Sequence, residues 1–234
     1  MKRTCFSENT NLYENNDMRV PSDVKKANYL RMKRLTLITT FIFSVLVSMA
    51  QDYTKLTAAF SDSYAKEKSE KYSDAASALK AIYDANSYEI NLRLGWLTYL
   101  GGQFSESMSY YNKAIELMPY AIEPRLGVVL PASSIGNWDM VIIQYNKILA
   151  IDPNNTVTLY RLGLISYDKK EYKQAYQYFE KVVNLYPFDY QSVIMLAWTN
   201  YRLGKTREAK ILFNKALLYY PEDASAKEGL NLIK

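Results

Sequence analysis

Small, apolar and aromatic residues recur along the chain with a period of thirty-four residues. The aromatic positions of this pattern are Tyr111, Tyr145, Phe179 and Phe213. Small or apolar residues lie four positions before them (Ser107, Val141, Ala175, Ala209) and three positions after them (Ala114, Ile148, Val182, Ala216). Prolines keep the same register at Pro119, Pro153, Pro187 and Pro221. A fixed period of this length predicts an array of repeated structural units.

Turn signals divide each unit into two helices. They are Gly101-Gly102, Gly136-Asn137, Lys169-Lys170 and Gly204-Lys205. Small residues such as Gly95 and Gly163 let two helices approach closely, and the aromatic residues fill the space between neighbouring hairpins. Because one hairpin cannot bury its apolar face, several must stack. We predict an all-α fold of five hairpins (56–87, 88–121, 122–155, 156–189, 190–223) with a capping helix over 224–234.

These residues resemble the tetratricopeptide repeat, in which Leu-Gly is followed by a small residue, an aromatic residue, Ala and Pro. Leu94-Gly95, Leu162-Gly163 and Leu196-Ala197 occupy its first position. Segments 88–121, 156–189 and 190–223 match well, whereas 122–155 matches only in its second half. Segment 56–87 is a degenerate first repeat, recognised from Tyr72, Ala75, Leu79 and Ile82. The resemblance implies a right-handed α-solenoid.

The resemblance also implies a binding site, since the first helix of each hairpin in this family lines a concave groove that receives an extended peptide or a partner helix. The aligned positions are Tyr64, Trp96, Tyr99, Leu130, Tyr160, Tyr167, Trp198 and Tyr201, with Arg93, Arg161 and Arg202 nearby. Trp, Tyr and Arg often carry interface energy. The two tryptophans are the strongest candidates, while Tyr99, Tyr167 and Tyr201 lie where tyrosine also serves repeat packing. We expect the arginines to be solvated.

Pro131 departs from the repeat pattern, because it falls inside the first helix of the third hairpin. Proline lacks a backbone donor, so it would free the carbonyl of Gly127. One interpretation is a kink that presents Ser133, Ser134 and this carbonyl to the groove. The alternative, which we prefer, is a tolerated irregularity. An unbroken helix from Glu123 to Ser134 would exclude the first interpretation.

The amino-terminal region predicts export. Lys33 and Arg34 precede an apolar run from Leu35 to Val47, and small residues at Ser48 and Ala50 suit cleavage before Gln51. We interpret 32–50 as a signal peptide, 1–31 as a polar extension or mis-called start, and 51–55 as a linker. The alternative is an uncleaved anchor. Both interpretations place 51–234 outside the cytoplasm, in the periplasm or the cell envelope.

Composition excludes several function classes. The chain has no His, and Cys5 is its only Cys; triads, thiol chemistry and thiolate metal sites are therefore absent. Carboxylate pairs such as Glu67 with Glu70 are interpreted as solvated helix faces. Residues 51–234 carry 21 Lys or Arg against 20 Asp or Glu, which argues against nucleic-acid binding. We predict no enzyme, no cofactor and no metal.

The remaining class is a binding protein. We predict an exported adaptor that captures a peptide or helical segment of another protein. The alternative is a structural or self-associating subunit that packs on copies of itself through the ends of the array or through a convex tyrosine-rich surface, with Tyr110, Tyr176 and Tyr219 as examples. Contact with a membrane is expected only through an uncleaved amino-terminal segment, because the body of the chain lacks a basic stripe.

Overall fold

The computed structural model of the chain describes residues 31–33 and 53–233. The chain divides into two units, Met1–Thr57 and Ala58–Lys234. The apolar run predicted to be a signal peptide lies outside the described residues, as does all but the last residue of the 1–31 extension. No helix among the residues that are described is both long enough and apolar enough to span a membrane.

The described residues from 53 onward form helices joined by short turns, without β-strands. Residues 53–55, predicted to belong to a linker, are helical. The helices are α1 (residues 53–68), α2 (Tyr72–Lys80), α3 (Tyr88–Leu100), α4 (Phe104–Leu117), α5 (Glu123–Ser134), α6 (Trp138–Ile151), α7 (Thr156–Asp168), α8 (Tyr172–Leu185), α9 (Tyr190–Arg202), α10 (Thr206–Tyr219) and α11 (Ala224–Leu232).

Local sequence explains where these helices begin and end. The side chains of Ser87, Asn155, Asp189 and Asp223 accept the first free backbone N–H groups of α3, α7, α9 and α11. Such a cap stabilises a helix by about 1 kcal/mol. The second helices α4, α6, α8 and α10 each end two residues before a proline of the thirty-four-residue register, because proline cannot continue the helical hydrogen bonding.

The turns inside the hairpins adopt a left-handed backbone conformation. Gly102, Gly136 and Gly204 have φ near +74° or +75°, which glycine tolerates. Lys170 occupies the equivalent place with φ of +63°. The predicted turns therefore form even where the glycine is missing.

The hairpins stack mainly through the second helix of one hairpin and the first helix of the next, as between α4 and α5 and between α8 and α9. The first helices also contact one another directly, α3 with α5, α7 with α9 and α9 with α11. The first helices therefore form one row of the array. This arrangement, together with the all-helical content of the described residues, confirms the predicted all-α solenoid.

Aromatic rings fill the space between hairpins, as predicted. The ring of Tyr111 lies between Gly95 and Gly127, where a Cβ added to Gly127 would come within 2.2 Å of Tyr111 Cε1. Phe179 packs against Gly163, and Phe213 against Gly229 of the capping helix α11. The glycines therefore permit a close approach that alanine would obstruct.

Of the two interpretations of Pro131, the kink that serves the groove is wrong, because α5 is an unbroken helix from Glu123 to Ser134. Pro131 is buried, and only the last turn of the helix follows it. The hydroxyls of Ser133 and Ser134 donate to the carbonyl of Leu130 at 2.8 and 3.0 Å. These hydrogen bonds satisfy a carbonyl group in the last turn of α5 within the helix itself, so the proline is tolerated there.

Candidate protein-binding groove

The exposed side of the first helices carries a series of open cavities, and we call this side the groove. Its amino-terminal cavity, of about 440 Å³, is lined by Tyr64, Arg93 and Trp96 among others. A smaller one of about 270 Å³ follows, between Trp96 and Leu130. The carboxyl-terminal cavity, of about 350 Å³, is lined by Tyr167, Met195, Trp198, Tyr201, Arg202, Glu228 and Leu232.

A partly buried ion pair joins the first two hairpins at the start of the groove. Arg93 Nη2 donates to Glu67 Oε2 at 2.5 Å, and Trp96 Nε1 donates to Glu67 Oε1 at 2.6 Å. The Arg93 guanidinium lies 3.8 Å from the centre of the Tyr64 ring. Arg93 is 8% exposed. The expectations that Arg93 is solvated and that Glu67 lies on a solvated face are therefore wrong.

The electrostatics of Glu67 follow from these contacts. Burial by itself raises the pKa of the carboxyl group. Hydrogen bonds from Arg93 and Trp96, together with the guanidinium charge, outweigh burial and lower the pKa below its ordinary value of 4.5. Glu67 is therefore charged near neutral pH and holds Trp96 in place.

The middle of the groove opens into a cleft between α5 and α7, with a volume of about 590 Å³. Its walls are mostly apolar, and Arg161 and Lys169 lie at its rim. Arg161 is exposed and forms no ion pair with any described residue. The lining residues are Val129, Leu130, Ser133, Trp138, Val141, Tyr145, Arg161, Leu164, Ile165, Asp168 and Lys169.

Trp138 in this cleft is a residue that the sequence reasoning missed. Its side chain is 51% exposed at the start of α6. The groove positions carried over from the repeat family come from first helices only, and Trp138 begins a second helix. An unexplained tryptophan directly after a turn was the signal that could have found it.

A further cavity, of about 740 Å³, lies on the other side of Arg161. It is bounded by Val157 and Tyr160 of α7 and by Tyr186 and Phe188 of the loop between α8 and α9. The hydroxyl of Tyr160 donates to Gln191 Oε1 at 3.2 Å, which ties α7 to α9.

The two carboxyl-terminal aromatic candidates take part in packing as well as lining a cavity. Trp198 Nε1 donates to Ser225 Oγ at 2.8 Å, and its ring packs edge-on against Phe213 with centroids 4.9 Å apart. Tyr201 contacts Trp198 at 5.8 Å between centroids. Trp198 therefore also holds the capping helix α11.

All but one of the predicted groove residues line one of these cavities. Tyr99 does not; its ring lies between Trp96 and Phe104, at centroid distances of 5.9 and 6.0 Å. The structure brings together three groups: Tyr64 with Arg93 and Trp96; Leu130 with Tyr160 and Arg161, around the middle of the groove; and Tyr167 with Trp198, Tyr201 and Arg202. Binding by these residues stays a prediction.

The tyrosines proposed for a convex self-association surface are engaged within the chain. Tyr110 is half-buried and donates to Glu106 Oε1 at 3.3 Å, and burial together with this carboxylate raises its pKa to about 12. Tyr176 donates to Glu180. Tyr219 stacks on Phe188 at 3.5 Å between centroids. Because these three side chains already make contacts within the chain, they are less available for self-association through the convex surface.

A helical-repeat array with an open inner groove defines a class of scaffold proteins. Family models described as "Tetratricopeptide repeat" match residues 63–122, 157–189 and 192–223, which together exceed half of the chain. The chain belongs to the tetratricopeptide repeat family. Most of the third hairpin falls between the matched segments, where the cleft between α5 and α7 opens.

Two curated proteins of Arabidopsis thaliana are similar over about half of this chain. Anaphase-promoting complex subunit 6 is 27% identical over 130 residues, which are 53% of this chain and 24% of that protein. Protein CTR9 homolog is 24% identical over 121 residues, 49% of this chain and 11% of that protein. The chain thus spans a quarter or less of these relatives.

Solved structures share the fold. A tetratricopeptide repeat protein from Parabacteroides merdae superposes with a TM-score of 0.66 at 20% identity, covering 77% of this chain and 72% of that one. MamA from Desulfovibrio magneticus RS-1 superposes with a TM-score of 0.61 at 18% identity, covering 73% and 98% respectively. At this identity the likeness concerns the fold alone.

Proposed function

We propose that this protein is an interaction scaffold whose groove binds a segment of another protein. The observation that carries the proposal is the cleft between α5 and α7, which combines apolar walls with the unpaired charge of Arg161. Concave, mostly apolar sites with a few polar groups are the usual form of a binding site. The tetratricopeptide repeat fold generally serves non-catalytic scaffolds, which supports this class of function.

The cleft offers the features of an interface centre. Trp138 and Leu164 supply apolar contact area, and an exposed arginine at the rim can pair with a polar group of the ligand. Interface energy concentrates in a few such residues, each costing about 2 kcal/mol or more on truncation. The ligand would insert an apolar side chain between α5 and α7 and orient it through Arg161.

We propose further that the protein acts outside the cytoplasm. The support is the sequence pattern of residues 32–50, with its basic start, apolar run and small residues before Gln51. The mature chain recovered from an envelope fraction is expected to begin at Gln51 on amino-terminal sequencing. A mature chain that begins well before Gln51 would contradict cleavage.

Affinity capture of the full chain from its native cells, followed by mass spectrometry, tests the groove. Trp138→Ala with Arg161→Ala should lose a specific partner that the wild type retains, because both side chains are exposed in the cleft. The matched control is Lys210→Ala with Ile211→Ala, two exposed residues on the outer helix α10. Circular dichroism should show unchanged helicity in both variants.

Two outcomes count against the groove. Equal recovery of every partner by wild type and cleft variant moves the function to another surface. Loss of the same partner from the α10 control assigns the interaction to the outer helices.

A further inference from the structure

The segments that join one hairpin to the next lie side by side at one end of the helices. They are residues 82–89, 116–123, 150–157, 184–191 and 218–225, and we call this surface the loop edge. Tyr88 of the first segment donates to Glu123 of the second at 3.5 Å. Tyr190 of the fourth donates to Asp223 of the fifth at 2.5 Å, and Phe188 stacks on Tyr219. The third and fourth segments line one cavity. The loop edge therefore has two joined parts, one made of the first two segments and one made of the last three.

The loop edge is strongly acidic. Its five segments contain no Lys or Arg, although residues 51–234 hold 21 of them. The carboxylates are Asp84, Glu89, Glu116, Glu123, Asp152, Asp189, Glu222 and Asp223. Among the residues that the structure describes, only Glu116 and Glu222 of this set form ion pairs, with Lys113 and Lys227. The other six carboxylates have no cation of the described chain at ion-pair distance.

Helix dipoles explain only half of this pattern. Acidic residues favour the positive amino-terminal ends of first helices that begin at this edge, and Asp189 and Asp223 cap two of them. The second helices end at the same edge, where the dipole favours Lys or Arg. Helix α2 has Lys80 in its last turn, paired with Glu106, whereas helices α4, α6, α8 and α10 have no basic residue there. Helix stability therefore does not account for the missing cations.

The same edge exposes large apolar side chains. Tyr120 is 83% exposed, and Tyr83, Tyr186, Phe188 and Tyr220 are exposed as well. The exposed aliphatic side chains here are Met118, Val157, Leu185 and Leu218. Contiguous exposed apolar surface marks an interaction site more often than a free surface.

A cavity of about 740 Å³ opens into this edge between Val157, Leu185, Tyr186 and Phe188. Ser192 lines it, is fully buried, and has an Oγ atom without a hydrogen-bond partner among the described residues. The one cation lining the cavity, among the described residues, is Arg161 on the side toward the groove. The cavity is therefore a mostly apolar anchor point, with one unsatisfied hydroxyl in its wall and with Asp189 and Arg161 as its charged lining residues.

We propose that the loop edge docks an extended Lys- and Arg-rich segment of a partner protein, with an apolar side chain of that segment in the cavity. Carboxylates and aromatic faces both attract ammonium and guanidinium groups. The described residues contain no group of three or more His, Cys, Asp or Glu placed to hold a metal ion. Carboxylates spread in this way suit a chain of cations better than a single ion.

The repeat spacing predicts the pattern of the ligand. Neighbouring helices in contact lie roughly 10 Å apart, and an extended chain advances about 3.4 Å per residue. One cation at about every third residue would therefore face each successive segment of the edge. Arg161 lines both this cavity and the groove cleft, whereas the acidic segments themselves lie outside the cleft lining.

Fluorescence anisotropy of the full chain tests the proposal with a labelled peptide of about fifteen residues that has lysine at every third position and a central leucine. The comparison peptide has glutamine in place of lysine. The lysine peptide should bind, and its affinity should fall as salt rises from about 50 to about 300 mM. The glutamine peptide should bind at least about tenfold more weakly.

Charge neutralisation locates the surface. Asp84→Asn with Glu89→Gln and Glu123→Gln removes three carboxylates that have no ion-pair partner in the described part of the chain and should weaken binding of the lysine peptide about tenfold. The matched control, Glu70→Gln with Glu171→Gln and Glu208→Gln, removes the same charge at the opposite ends of the helices and should change little. Trp138→Ala should leave this affinity unchanged, so failure here is separable from failure of the groove.

Three results would overturn the proposal. The two peptides could bind equally, or the control variant could lose as much affinity as the loop-edge variant. The protein alone could also form a dimer in native mass spectrometry that the loop-edge variant lacks, which would assign this edge to a second copy of the chain.

Discussion

At the residue scale, the surroundings of a side chain change its role completely. Glu67 and Glu70 are both glutamates near the end of α1, yet Glu67 holds Arg93 and Trp96 while Glu70 is exposed at the turn. Arg93 and Arg161 lie two periods apart at equivalent places on first helices, yet Arg93 is buried and Arg161 is exposed. Residue type alone does not distinguish the members of either pair.

Glu67→Gln is expected to destabilise the protein by about 2 kcal/mol at pH 7, because it leaves a buried guanidinium without its charged partner. The pKa of Glu67 is lowered in the folded state, so its contribution is present above the ordinary value of 4.5 and is lost as pH falls through the folded pKa. The wild type should therefore lose more stability than Glu67→Gln between pH 7 and about pH 3.

Urea unfolding at both pH values measures this difference. Glu70→Gln is the matched control, and its free energy of unfolding should equal that of the wild type at both pH values. If Glu67→Gln loses as much stability as the wild type on acidification, the ion pair does not contribute as argued.

At the element scale, the close contact of helices depends on the small residues beneath the aromatic rings. Gly95 and Gly127 come from successive first helices and enclose the ring of Tyr111. The sequence pattern predicted that aromatic residues fill this space. Gly127 itself lies in the half of the third repeat that does not match the family, and only the structure shows its contact with Tyr111.

Gly127→Ala should destabilise the protein by about 1–3 kcal/mol, because the new Cβ would lie 2.2 Å from Tyr111 Cε1. Replacing glycine by alanine within a helix usually has the opposite effect and stabilises the protein by about 1 kcal/mol. Gly101→Ala is the control, since the nearest atom to its Cβ is at 3.4 Å. The Gly101→Ala variant should be more stable than the wild type by about 0.4–1 kcal/mol.

Thermal and urea denaturation of both variants measure these changes. A stable Gly127→Ala variant would mean that the Tyr111 ring moves aside at little cost.

At the scale of the whole array, the junction between the third and fourth hairpins is the weak point. Helix α6 packs on α7 less extensively than α4 on α5 or α8 on α9, and the cleft opens at the same place. The stability of a repeat protein is approximately a sum over neighbouring repeats. A weak junction therefore divides the array into two blocks, α1–α6 and α7–α11.

Native-state hydrogen exchange in low urea should reveal these two blocks as separate cooperative units. Phe179→Leu should speed exchange in α7–α11 and leave α1–α6 unchanged, whereas Tyr111→Leu should do the reverse. Both side chains are buried at equivalent places, so each variant is the control for the other. Equal acceleration throughout the chain in either variant would show one cooperative unit instead.

Sequence reasoning anticipated some parts of the site and missed others for identifiable reasons. Trp96 and Arg161 were found because the family pattern marks the exposed face of first helices. Trp138 was missed because it belongs to a second helix. For Pro131 the preferred interpretation agrees with the unbroken course of α5, since one proline near a helix end costs only one hydrogen bond.

The sequence by itself determined the helical hairpins, their order and the columns of residues between them. These features depend on periodicity, caps and nearest-neighbour packing, all of which are local. The tertiary structure alone showed that Arg93 is paired and Arg161 is not, that a cleft separates α5 from α7, and that acidic loops of neighbouring hairpins contact each other. These properties depend on the relative placement of distant segments, which no single segment encodes.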